Sequence, residues 1–422
     1  MRTHLSVGFV LLLGSLAQAQ TNAPQASVEA AGYLQAALEH IEKSSRVYTG
    51  DWEALRKTAQ KAIAAAGAKT TADTYPAIRD MLRTLGDKHA LLLDPVAAKL
   101  YSKKRGAEAT GLLVVPPDGG VALVLPNSPA AAAGLALGDR IVAVEGVAAL
   151  AELPPSEFMR LFRSGQRQDG STGPLELRVK TGTAEPRAVK VGLAAFDEYL
   201  APTGRRLDGG VGYLELPGVV SGPKAATYDD AVHEVLGRID DGTLRGCIVD
   251  LRRNTGGTLW PMLAGIGPLA GAGKLGAFVS AHSGAVMSYD AELGAAKSEG
   301  YELARVDKPH PLRDTLPVAV LTGPLTTHLG EAVVVAFAGR AHTRRFGEGT
   351  RGMPIGNTSI KLADGALLVL TVTVDADRNG TRYDTVIPPD EVVATDWARF
   401  GAADDPVVVA ACRWLAGAAG AK

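Results

Sequence analysis

The hydrophobic pattern changes character three times along the chain. An apolar run from Leu5 to Leu16 follows Arg2 and His4 and ends at Ala17-Gln18-Ala19. From about Ser27 to Leu100, apolar residues recur at helical spacing, as in Tyr33, Ala37 and Ile41 and again in Leu55, Ala59 and Ile63, which predicts a mostly helical segment. Tyr75-Pro76 opens a further helix there, ending near Leu85-Gly86. Between about Ala107 and Ala194, short β-rich runs alternate with Gly and Pro: Leu112 to Val115, Val121 to Leu125, Arg140 to Val144, Leu175 to Val179 and Ala188 to Leu193. One helix is expected among them, from Pro154 to Ser164, and the polar stretch Gln166 to Gly173 reads as an exposed loop.

Beyond Gly209, strands and helices alternate. Strands are predicted at Val211 to Glu215, Gly246 to Leu251 and Val318 to Thr322, with a long β run from Ala366 to Val374. Helices are predicted over Thr227 to Ile239, Leu259 to Leu269, Gly330 to Gly339 and Asp405 to Leu415. Such alternation implies parallel strands covered by helices. The expected fold class is α+β multidomain, with a signal peptide over 1–19, a helical segment over 27–100, a β module over 105–195 and an α/β core over 205–422.

The short apolar run with small residues at positions 17 and 19 reads as an export signal, cleaved after Ala19, rather than a membrane anchor, which needs about 20 apolar residues. Export without an anchor implies a periplasmic or secreted protein. The 422 residues carry 44 basic and 45 acidic side chains, a formal net charge of −1 with no basic block, so nucleic acid is not an expected partner. Cys247 lies in an apolar run and reads as a buried free thiol; Cys412 is the only other cysteine. No cofactor is expected.

Three groups of residues carry chemistry. Asn127-Ser128-Pro129-Ala130, Ala133-Gly134-Leu135, Gly138-Asp139-Arg140-Ile141 and Val144-Glu145-Gly146 together resemble a PDZ domain of bacterial exported proteases. Asp250-Leu251-Arg252-Arg253-Asn254-Thr255-Gly256-Gly257 follows a strand and precedes a helix, where a Gly-Gly corner offers backbone N–H groups to an oxyanion. That string is similar to the signature of the tail-specific, or carboxy-terminal processing, serine peptidase superfamily, which includes the tricorn core. The likeness continues through Val320 to Pro324, Gly330-Glu331, Gly347 to Gly352 and Ile387 to Asp390, and upstream in Leu85-Gly86-Asp87-Lys88-His89. It implies an α/β core of the ClpP/crotonase-like type.

The resemblance also implies a break. The family's nucleophile turn reads Thr-Ala-Ser-Ser-Gly-Glu; here it reads Thr326-Thr327-His328-Leu329-Gly330-Glu331, so His328 stands where the serine is expected. The lysine base of the PDZ-bearing branch falls on Met353. The histidine base of the tricorn-like branch falls on His89, followed by Ala90 where serine is usual. By this resemblance His89 is the base candidate and Gly256 and Gly257 form the oxyanion corner. Glu348 or Asp390 would orient His89. The PDZ-like module would hold a free carboxyl terminus or unstructured polypeptide on backbone N–H groups near Gly111, Leu112 and Leu113. Two further expectations concern this turn. Thr326 and Thr327 hydrogen bond within it, with Thr327 a poor alternative nucleophile. The resemblance implies that His89 and His328 face each other, so that with Glu331 they could hold Zn²⁺, although no metal is the favoured reading. His40, His233, His282, His310 and His342 read as lacking partners. The expectation is a peptide-binding relative with weak or no hydrolysis; the alternative is an active peptidase using His89 with another nucleophile or a metal.

Overall fold

The computed structural model describes residues 25–45, 50–87, 89–102, 108–167, 171–218, 227–280, 283–311 and 313–419. The expected signal peptide and His282 lie outside the described residues.

The N-terminal helices Val28–Ser44, Trp52–Ala65 and Tyr75–Thr84 have apolar faces that share one core. Ser27 and Asp51 cap the first two, each accepting a backbone N–H of its first turn. That core is completed by Leu362, Ala366, Leu368 and Leu370 from near the other end of the chain. The mostly helical segment 27–100 also contains a strand that was not expected. Leu91–Leu93 is a strand, paired antiparallel with the long strand Leu367–Asp377. Three residues are too few to show a period, so only the partner strand reveals them.

The β module has five antiparallel strands in chain order: Leu112–Val115, Gly120–Val124, Arg140–Val144, Leu175–Lys180 and Arg187–Val191. Alternate residues such as Leu175, Leu177 and Val179 point inward and pack on Phe158, Leu161 and Phe162 of the helix Pro155–Ser164. The first strand is an edge, with that helix packed beside it.

The α/β core holds a six-stranded sheet in the order Glu391–Val392, Thr343–Gly347, Val318–Thr322, Gly246–Asp250, Val211–Glu215, Thr203–Leu207, parallel except for the last pair. Cys247, Val249, Val318 and Val320 face one core with the helices Tyr228–Ile239, Leu259–Ala270 and Leu329–Phe337. Ile248, Ala319 and Leu321 face the other way, onto the C-terminal helix Pro406–Ala419. Burial on both faces explains why these strands read as continuous apolar runs. Cys247 and Cys412 are free thiols, and burial pushes that of Cys247 up to about 12.

A second, antiparallel sheet of eight strands lies beside this core. It runs from Leu91–Leu93 through Leu367–Asp377, Gly273–Val279, Gly284–Asp290 and Ala295–Ser298 to Tyr301–Arg305. Ile355–Lys361 and Arg382–Tyr383 also pair with Leu367–Asp377. Only that long strand was legible as β in the sequence. Among the described residues, no helix is long and apolar enough to cross a membrane.

Candidate active site

The site is built on the turn between the strand Val318–Thr322 and the helix Leu329–Phe337. Thr326 fixes the turn from inside: its hydroxyl donates to the Leu251 carbonyl at 2.9 Å and accepts the Gly323 N–H at 3.1 Å. Thr327 donates its N–H to the Asn254 carbonyl at 3.1 Å. His328 then takes φ +52°, ψ −123° and its side chain is exposed. A non-glycine residue rarely adopts such a backbone conformation, and it recurs where a sharp strand-to-helix turn presents one side chain to a cleft. Position 328 is therefore the presenting position of an elbow, and the side chain it presents is an imidazole.

Glu331 holds the elbow closed. Its side chain is fully buried. It accepts four hydrogen bonds: from the His328 N–H at 2.9 Å, the Thr350 hydroxyl at 2.5 Å, and the N–H groups of Gly352 and Met353 at 2.8 Å each. Burial raises its pKa, against the pull of those donors. Its carboxylate thus joins the elbow to the strip 350–353. This arrangement gives no support to the alternative of a metal site on His89, His328 and Glu331. Glu331 spends its oxygens on four protein donors, and among the described residues no group of three or more His, Cys, Asp or Glu side chains is arranged to hold a metal ion.

The glycine corner abuts the elbow directly. A Cβ added at Gly256 would stand 3.2 Å from His328 Cβ, and its φ of +87° already favours glycine. A Cβ at Gly330 would meet the Asn254 carbonyl oxygen at 2.5 Å, so the helix can approach the corner only with glycine there. Asn254, fully buried, organises both sides through Nδ2 to the Leu216 carbonyl at 3.1 Å and through Oδ1, which accepts the Gly256 N–H at 3.0 Å. The N–H of Gly256 is therefore spent inside the protein. Of the two glycines expected to bind an oxyanion, Gly257 is the one left as a candidate.

The Asp-Leu-Arg part of the motif is structural. Arg252 is fully buried between Asp250 (2.6 Å) and Asp405 (2.7 Å), and Asp405 in turn accepts the Val407 N–H at the start of the C-terminal helix. Although burial opposes ionisation, Arg252 holds the Asp250 carboxyl below the usual range. Sequence reasoning missed this role because Asp405 lies 153 residues away.

His89 enters from the loop after the third N-terminal helix. Asp87 orders that loop, accepting the His89 N–H at 3.0 Å and, from the long strand, the Thr371 N–H at 3.1 Å and hydroxyl at 2.9 Å. The same strand reaches the elbow strip four residues later, where the Asp375 N–H donates to the Pro354 carbonyl at 2.9 Å. The anchor points of His89 and of the elbow strip are thus about 13 Å apart along one strand. The His89 imidazole Nε2 is buried and has no hydrogen-bond partner among the described residues. The expected orienting acids are engaged elsewhere. Glu348 accepts the Thr395 N–H at 3.1 Å, and Asp390 pairs with Arg345 at 2.8 Å. Thr327 Oγ1 is likewise buried and unpartnered, so the expected turn hydrogen bond forms at Thr326 and not at Thr327.

Two further expectations are corrected. His233 and His310 have partners: His233 Nδ1 accepts the His310 N–H at 2.8 Å, its Nε2 lies 3.0 Å from the Ala264 carbonyl, and His310 Nε2 lies 3.0 Å from Asp240. In the β module, the Leu112 N–H donates to Thr110 Oγ1 at 3.1 Å and is not a donor for a bound terminus. The Gly111 carbonyl accepts the Leu125 N–H at 2.8 Å, and Leu113 faces a cluster with Val115, Trp397 and the elbow-turn residue Leu325. The module's edge strand thus lies close to the turn that presents His328.

With this geometry in place, comparison with known proteins is direct. Residues 210–393 match the model of peptidase family S41, and residues 120–168 match that of a PDZ domain. The nisin-resistance protein of Lactococcus lactis subsp. lactis is 28% identical over 201 residues, covering 46% of this chain and 60% of its own length. A carboxyl-terminal-processing protease of a Picosynechococcus species is 26% identical over 345 residues, 77% of this chain and 75% of that protein. Among solved structures, a photosystem II D1 C-terminal processing protease superposes with a TM-score of 0.58 at 19% identity, over 87% of this chain and 93% of the other.

Proposed function

Because the core of this chain belongs to peptidase family S41 and is preceded by a PDZ domain, we propose that it captures unstructured polypeptide or free carboxyl termini without cutting them. The observation that carries this reading is His328 at the presenting position of the elbow, exposed, with φ +52° and ψ −123°.

In the peptidases that this chain resembles, the acyl-enzyme forms on a hydroxyl held within about 2.6–3.2 Å of its base. Position 328 offers an imidazole instead, whose attack on a carbonyl would give only a labile acyl-imidazole. The neighbouring hydroxyl, Thr327 Oγ1, is buried beneath the turn and does not open to the cleft. The His89 Nε2 has no hydrogen-bond partner among the described residues, so no acid there sets its tautomer. A site that retains an oxyanion donor without a nucleophile accelerates hydrolysis by no more than about 10³–10⁴ over water. What remains is binding: an edge strand beside a helix in the PDZ domain, suited to strand addition, close to the turn that presents His328. The curated relatives named for carboxyl-terminal processing support a polypeptide tail as the ligand. The export signal expected over 1–19 supports a periplasmic or secreted site of action.

The test is a titration of a fluorescent peptide with an unstructured tail and free carboxyl terminus. Saturable binding with the peptide recovered intact is the expected result. Absence of binding, or recovery of fragments, contradicts the proposal.

A further inference from the structure

Arg351 lies in the strip that Glu331 fastens to the elbow, between Thr350 and Gly352. Its own N–H donates to the Thr326 carbonyl at 2.8 Å, two residues before His328. The backbone of this residue is therefore fixed beside the presenting turn. Its side chain is half-buried, and burial pulls the guanidinium pKa down.

The guanidinium has no hydrogen bond or ion pair among the described residues. Glu331 is the carboxylate whose field reaches it, yet the Glu331 oxygens receive Thr350, Gly352, Met353 and His328 instead. Other arginines withdrawn from solvent in this chain have acceptors. Arg252 has Asp250 and Asp405, Arg253 has Glu215, Arg345 has Asp390, and Arg340 has the carbonyls of Asp314 and Leu316. A half-buried guanidinium without a protein acceptor is open to a ligand, and its planar fork matches a carboxylate.

We propose that Arg351 is the receptor for a carboxylate of the polypeptide bound in the cleft, and so sets which tails the protein accepts. The inference rests on the peptide-capture reading above. The carboxylate has two sources in a polypeptide, the chain terminus and an acidic side chain, and both present the same fork to the guanidinium.

The test uses the full chain and three fluorescent peptides of one unstructured sequence. The first has a free terminus and no acidic side chain, the second is amidated and neutral, and the third is amidated with one Glu near its end. Each is titrated against wild type, Arg351→Gln and Arg351→Lys. Wild type is expected to favour a carboxylate-bearing peptide over the neutral one by about tenfold or more. Arg351→Gln is expected to erase that preference and leave the neutral peptide bound within about twofold, with Arg351→Lys between the two. The peptide that shows the effect identifies the source. In wild type alone the preference is expected to shrink as salt is raised, which tests the charge even if a variant folds poorly. A preference that survives Arg351→Gln places carboxylate reading elsewhere, as in the PDZ domain, and overturns the inference. So does binding by wild type with no preference or no salt dependence. Failure of wild type to bind any of the three removes the peptide-capture reading itself.

Discussion

The backbone N–H of His328 donates to the buried carboxylate of Glu331 at 2.9 Å, and the same carboxylate takes three donors from Thr350 to Met353. One side chain thereby holds an elbow in an unfavourable backbone conformation and ties it to the strip that carries Arg351. Glu331→Ala would leave four donors without their acceptor. The expected loss is about 3 kcal/mol or more, read as a lower midpoint in urea unfolding. A loss under about 1 kcal/mol would mean that the elbow is held by other contacts.

The ion network under the glycine corner gives a second prediction. Arg252→Leu would strand Asp250 and Asp405, both fully buried, without their counter-charge. Removing one partner from such a network costs about 3–5 kcal/mol, and the C-terminal helix, whose first turn Asp405 caps, should lose hydrogen-exchange protection first. Unchanged protection across that helix would contradict the assignment.

Asp375 supplies a pH dependence. Burial, and then the nearby Glu331 charge, raise its pKa to about 7, and its Oδ1 has no partner among the described residues. An acid whose folded pKa is raised stabilises the fold while it is protonated. That contribution is full below the unfolded value of 3.8 and is lost as pH rises through about 7. Asp375→Asn should therefore flatten the fall in stability between about pH 4 and pH 7. It should also stabilise the protein at pH 8, by on the order of 4 kcal/mol at most. Thermal unfolding of both proteins across that range is the check; parallel profiles would refute it.

Much of this was readable in the chain. The parallel strands were legible because both of their faces are buried, so Gly246–Asp250 and Val318–Thr322 stand out as unbroken apolar runs. The antiparallel sheet was largely illegible. Strands such as Gly284–Asp290 and Tyr301–Arg305 are partly exposed and carry charges that mask a two-residue period. In the site, the elbow position and the glycine corner were expected from the family resemblance. The roles of Glu331, Arg252 and the His233–His310 pair did not. Each depends on a partner brought close only by the fold, 19, 153 and 77 residues away respectively.

His328→Ser tests whether a hydroxyl at the elbow is what hydrolysis requires. A serine at the elbow would gain a hydroxyl at the presenting position, but it would still lack an acid to orient His89 and would have Met353 where a lysine base is usual. Weak hydrolysis, lost again in the His89→Ala double variant, is the expected result of a fluorogenic peptide assay. Hydrolysis that persists in the double variant would show that His89 is not its base.

The central claim is that wild type binds tails and leaves them whole. Prolonged incubation of a tailed, unfolded substrate with a stoichiometric amount of the protein, followed by intact-mass measurement, tests it most directly. The account predicts a single unchanged mass, the same for wild type and His89→Ala. Fragments produced by wild type and absent with His89→Ala would contradict it.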